Sequence, residues 1–167
     1  MIGGNLKMKP MKLQDIIDQI DFQTDEFHSY INTETGEIIG FSSEELDIAE
    51  ESEGDIDFSK YPEWQKKPIN EAKDVLDNWN THKYIKFPDR WYVNEYSIME
   101  TFCSSVRDEK IRNVLFSSIR GSGAFRRFKD VIHIFNIEDS WYQFRDEALK
   151  KIAIKWCEEN GISYIET

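Results

Sequence analysis

The sequence predicts an α+β fold: a small antiparallel sheet, made of a hairpin and one or two short strands, packed on a mainly helical C-terminal half. Three observations predict it. Residues 27–41 read as two strands around a glycine-containing turn, residues 84–87 read as a further short strand, and from Val93 onward four apolar stripes recur at helical spacing. The 167 residues are 40% hydrophobic and 14% aromatic, which supplies a core that needs no metal or disulfide staple and fits a single domain over 11–167.

Taken in order, residues 1–10 read as a flexible tail, with Met8 and Met11 as alternative starts. Leu13, Ile16, Ile17 and Ile20 share one helical face, so residues 11–21 predict a short amphipathic helix. In the hairpin, Gly36 supplies the positive φ that the turn requires. Glu44 to Asp57 holds eight acids and no Lys or Arg, with no convincing apolar period, and predicts an acidic linker at about 43–60. Pro68 suits the first turn of a helix carrying Ile69, Ala72, Val75, Leu76 and Trp79. Tyr84 to Phe87 is a strand ended by Pro88, placed to pair with the hairpin.

The four later stripes are Val93 to Val106, Ile111 to Ile119, Phe125 to Phe135 and Trp141 to Trp156. The last helix is expected to start on a Ser140/Gln143 capping box and to stop at Asn160-Gly161, with Ile162–Ile165 adding an edge strand.

Net charge is −11, and its whole excess lies in residues 1–83, which hold 8 Lys and Arg against 19 Asp and Glu. General nucleic-acid binding is not expected of such a chain, because phosphate attraction drives that binding. The charge either meets a basic protein partner or serves solubility. Cys103 and Cys157 each sit beside large apolar residues and read as small buried hydrophobes. No segment approaches the roughly 20 apolar residues of a membrane span, and the N-terminus has no apolar h-region. The expectation is a cytoplasmic protein with no membrane partner and no cofactor.

One segment departs from its surroundings. Arg120-Gly121-Ser122-Gly123-Ala-Phe-Arg126-Arg127-Phe-Lys129 packs four cations into ten residues of an acidic chain. The glycines allow a tight turn before a helix, with Ser122 placed as its N-cap. A helix N-terminus directs N–H groups and partial positive charge at an anion, and arginine adds bidentate contact to oxyanions. The alternative is a plain turn between packed helices, with Phe125 and Phe128 in the core and the arginines paired to Asp130, Asp146 or the acidic half. The segment is neither a Walker loop nor a dinucleotide fingerprint.

Trp141, Tyr142 and Phe144, next to Arg145 and Asp146, read either as a stacking surface for a base or as helix packing. His28, His82 and His133 are scattered without metal-ligand spacing, and no nucleophile elbow or Cys/His dyad is present. Glu95 and Glu100, five apart, share no helical face well.

Tyr30-Ile-Asn-Thr-Glu-Thr-Gly-Glu37, Tyr84-Ile-Lys-Phe-Pro88, Glu95-Tyr-Ser-Ile-Met-Glu-Thr-Phe-Cys103, Ile119 to Asp130, Trp141 to Leu149 and Trp156 to Ile162 occur in that order. Together they resemble the bacterial uncharacterised protein family UPF one-five-eight over about residues 11–165, apart from the spacer 43–60. The resemblance implies a free-standing bacterial, cytoplasmic protein and makes the Gly-Ser-Gly turn with its two arginines a family feature. It brings no activity, substrate or cofactor.

Three functions are therefore expected in order, ahead of a bare structural role. The first is a non-enzymatic binding protein holding a phosphate-bearing, nucleotide-like ligand at Arg120, Gly121, Ser122, Gly123, Arg126, Arg127 and Lys129, with Trp141, Tyr142 and Arg145 alongside. The second is a protein–protein regulator whose acidic half engages a basic, nucleic-acid-handling partner. The third is an enzyme of unrecognised type built on Glu95, Glu100, Arg145 and Asp146.

Overall fold

The computed structural model describes residues 8–166, so most of the expected tail 1–10 lies outside the described residues. The structure is α+β and mainly helical, with a three-stranded antiparallel sheet. The chain divides into two units, residues 1–92 with 153–167, and residues 93–152.

In the first unit, β1 (Met11–Lys12) leads into α1 (Leu13–Phe22), whose Leu13, Ile16 and Ile20 are buried at the predicted helical spacing. The hairpin forms as predicted from β2 (Phe27–Asn32) and β3 (Ile38–Ser42), with Gly36 at φ +75° in the turn. Tyr84–Lys86 is β4, and it pairs with the other edge of β2 to give the order β3-β2-β4. Register places His28 opposite Phe41 and Tyr30 opposite Ile39. That face carries a core of Ile39, Phe41, Ala49, Ala72 and Val75, with the Tyr30 ring stacked on Phe41 at 5.6 Å.

The expected linker is in part a helix. Ser43–Glu51 is α2, and Ser42 and Glu45 close a reciprocal capping box: the Ser42 N–H donates to the Glu45 carboxylate at 2.5 Å, while the Glu45 N–H donates to the Ser42 hydroxyl at 3.4 Å. The cap and the buried Ala49 order this stretch despite its acids, and α2 packs on α3 (Glu63–Asp77). Between them lies a short 3₁₀ turn at Phe58–Lys60. The α3 helix starts on Pro62 rather than at Pro68, which lies inside it. A proline interrupts a helix by its missing N–H and its clash with the preceding turn, yet burial of Gln65, Ile69 and Ala72 keeps one helix running past it.

Beyond β4, α4 (Arg90–Val93) begins where the Asp89 carboxylate accepts from the Tyr92 N–H at 2.9 Å. At the other end of the chain, β5 (Tyr164–Ile165) pairs in parallel with β1, Met11 opposite Tyr164. The Phe87 and Trp156 rings stack at 4.8 Å in this unit.

The second unit holds α5 (Glu95–Ser105), α6 (Glu109–Ser118), α7 (Ala124–Ile134) and the start of α8 (Glu138–Glu159). Asn94 and Asp108 cap α5 and α6 through their side chains. Ser140, expected as a cap, lies inside α8, which begins two residues earlier. The end of α8 is as expected, the Ile162 N–H returning to the Cys157 carbonyl at 2.9 Å just past Gly161.

The core of this unit is aromatic. Phe102 meets Phe128, Trp141 and Phe144 edge-on at 6.0, 5.3 and 5.4 Å, and Phe128 meets Trp141 at 4.8 Å. Cys103 and Cys157 are free and fully buried, and burial pushes each thiol up to about 11. Among the described residues no helix is long and apolar enough to cross a membrane.

Candidate functional site

The turn between α6 and α7 is held together by Arg127. Its Nε donates to the Ser118 carbonyl at 2.9 Å, and its two terminal nitrogens donate to the carbonyls of Ser122 and Arg120. Ser118 ends α6, where carbonyls have no partner within the helix and the helix dipole favours a cation. Tyr96 adds a further bond from its hydroxyl to the neighbouring Ile119 carbonyl at 3.0 Å. Arg127 therefore closes the turn, and its hydrogen-bonding capacity is largely committed to backbone.

This arrangement changes the expected cap. Ser122 does not cap α7: the N-cap is Gly123, at φ +77°, and no side chain bonds the first-turn amides. The reason is local. Arg127 holds the Ser122 carbonyl, and Gly123 takes the left-handed conformation that turns the chain into the helix one residue later. The first amides of α7 thus have no side-chain cap.

The remaining cations of the segment are exposed. Arg120, Arg126 and Lys129 meet no carboxylate among the described residues, and the pairing of the arginines with Asp130 or Asp146 is not formed there. Phe128 is buried, as one reading of the turn expected, whereas Phe125 is largely exposed. Gly121, at φ +71°, stands in open space.

The other residues singled out in the sequence are placed differently. Trp141 is only 4% exposed, its ring taken up by Phe102 and Phe128, so it is part of the core and offers no stacking face. Tyr142 is the exposed aromatic beside it in sequence. Arg145 is half-buried and grips Glu95 with both ends of a fork, Nε to one carboxylate oxygen at 2.5 Å and a terminal nitrogen to the other at 3.2 Å. Glu95 and Arg145 hold each other, while Glu100 and Asp146 are exposed. No group of three or more His, Cys, Asp or Glu among the described residues is arranged to hold a metal ion.

Sequence reasoning missed a second polar cluster, in the first unit. The Asp74 carboxylate accepts from Lys83 Nζ at 2.7 Å and from the Tyr84 hydroxyl, and these hydrogen bonds hold it below the usual carboxylate range. Asp74 and Tyr84 line an open groove of about 440 Å³ with Glu63, Lys66, Asn70 and Glu71. Burial raises the Glu71 carboxyl, partly offset by Lys67. No local signal in sequence marks it, because Asp74 in α3 meets Lys83 and Tyr84 nine and ten residues on, across the turn into β4.

The comparisons bear on the second half of the chain. A family model described as an uncharacterised protein family (UPF0158) matches residues 63–167, from the start of α3 onward. The matched range includes the Arg120–Asp130 string and leaves the hairpin motif Tyr30–Glu37 outside. No curated protein matches the chain, and neither does any solved structure. With well over half of its length matched, the chain belongs to the uncharacterised protein family (UPF0158).

Proposed function

We propose that this is a non-enzymatic binding protein that holds a phosphate-bearing ligand at the start of α7. The observation that carries the reading is an uncapped helix start set among three exposed cations, Arg120, Arg126 and Lys129, that no carboxylate neutralises among the described residues. Backbone amides and a helix dipole suit a phosphate oxygen, and the side-chain cations add charge-assisted bonds. Arg127 is assigned a positioning role, fixing the turn so that the amides are presented. Tyr142 is the residue left to stack on a base, and Arg145 contributes to the scaffold through Glu95.

The test begins with native mass spectrometry of gently purified protein, followed by titration with inorganic phosphate and with adenosine diphosphate. The wild type is expected to retain or bind one of them. Arg126→Ala/Lys129→Ala should weaken binding by about tenfold or more, each charge-assisted bond being worth roughly 1.5–3 kcal/mol. Unchanged affinity in the folded double variant, or no binding by the wild type, overturns the reading.

A second reading, a regulator of a basic protein, is favoured by one observation. Glu44, Asp47, Glu50, Glu51, Glu53 and Asp55 are all exposed, and none pairs with Lys or Arg among the described residues. Since α2 contributes Ala49 to the core, deletion is a poor test. Glu50→Gln/Glu51→Gln/Glu53→Gln keeps the fold and should reduce the salt-sensitive capture of a basic partner; an unchanged association rate counts against it.

A further inference from the structure

The first unit exposes large rings that its core does not use. Trp156 is buried there, yet Trp91 is 77% exposed and Phe22 61%. The two belong to one connected surface. Phe22 ends α1 and touches the Phe27 ring edge-on at 5.9 Å. Asp25, in the turn between those two rings, is bonded by Arg90 at 2.9 Å. The same Arg90 guanidinium lies over the Trp91 ring, 5.5 Å from its centroid. Tyr92 follows, itself exposed, with its hydroxyl donating to Glu159 at 2.7 Å.

Exposed aromatics gathered in this way mark a contact surface, since tryptophan, tyrosine and arginine dominate binding energy. The rim says what kind of contact. Asp25 bonds Arg90 beside the Trp91 ring, the Asp89 carboxylate accepts from the Tyr92 N–H, and Glu159 accepts from the Tyr92 hydroxyl and pairs with Lys155 at 3.6 Å. Aromatic faces beside carboxylates suit a guanidinium, which can stack and form an ion pair at once. Arg90 already shows that mode within the molecule, stacked on Trp91 and paired to Asp25. A second copy of the chain fits poorly, because a twofold contact would set the same acids against each other. An anionic membrane surface would be repelled by them.

We infer that Phe22, Trp91 and Tyr92, rimmed by Asp25, Asp89 and Glu159, dock an arginine-bearing segment of a basic protein partner. This goes beyond the anion site, which uses none of these residues, so either can fail alone.

The test uses the full chain with hexa-arginine, and with hexa-lysine for comparison, at about 0.15 M salt, where long-range attraction is screened. Hexa-arginine should bind more tightly than hexa-lysine. Trp91→Ala and, separately, Phe22→Ala leave the net charge unchanged and should each weaken hexa-arginine binding by about tenfold, while Trp79→Ala, which removes another exposed ring just beyond α3, should not. Equal binding by wild type and both variants, equal affinity for the two peptides, or no measurable binding overturns the inference. So does a concentration-dependent dimer that Trp91→Ala abolishes, which would assign the surface to a second copy.

Discussion

Gly123 and Arg127 are packed together at the start of α7: a Cβ placed on the glycine would stand 3.0 Å from a terminal nitrogen of the guanidinium. The glycine is required by its φ of +77°, and a side chain there would also press on the guanidinium that holds the turn. Gly123→Ala should therefore cost more than the roughly 1–2 kcal/mol of left-handed strain alone. Gly121→Ala measures that strain separately, since φ is +71° there and nothing lies within 4 Å. Urea unfolding of both variants gives the difference, and equal losses would mean that Arg127 yields freely.

Arg127 and Arg126 are adjacent and should behave in opposite ways. Arg127→Ala removes three donors from the carbonyls of Ser118, Arg120 and Ser122 and should destabilise by about 1–2 kcal/mol, an amount reduced by its partial exposure. Arg127→Lys should recover little, because one ammonium cannot reproduce the fork. Arg126→Ala should stay within about 0.5 kcal/mol of wild type while reducing anion affinity. Thermal unfolding read beside phosphate titration separates the two roles.

Asp74 should shape the acid limb of stability. Its carboxyl is held low in the folded state by hydrogen bonds from Lys83 and Tyr84. A depressed folded value contributes stability that is present above the unfolded value, about 4, and is lost as pH falls through the folded one. Asp74→Asn should accordingly flatten stability against pH below about 4. The effect is modest, since the carboxylate is partly exposed and screened. An acid limb identical to that of the wild type would remove Asp74 from the account.

The elements legible in sequence were those whose signal is local. Gly36 marked the hairpin, Pro88 stood two residues past the end of β4, and the Asn160-Gly161 pair ended α8. The misreadings came where a polar residue did structural work. Glu45 counted as one acid among eight, yet it is buried and closes the box with Ser42; the Ser-x-x-Glu spacing was the available signal for α2. Ser122 fitted a cap by residue type, but the cap was decided by Arg127, five residues on, reaching back to carbonyls that no local pattern reveals. Trp141 followed the same logic in reverse: its face was claimed by Phe102, distant in sequence, so an aromatic next to Arg145 became core.

Cys103 belongs to one unit and Cys157 to the other, each buried and each held protonated far above neutral pH. A thiol in that state is inert to alkylation until the structure around it opens. The chain thus carries two silent, separately addressable clocks, one per unit, with no third thiol to confuse them. Labelled under native conditions and resolved by peptide mass, they would time the opening of each unit in the unaltered protein, and show whether the two open together or apart.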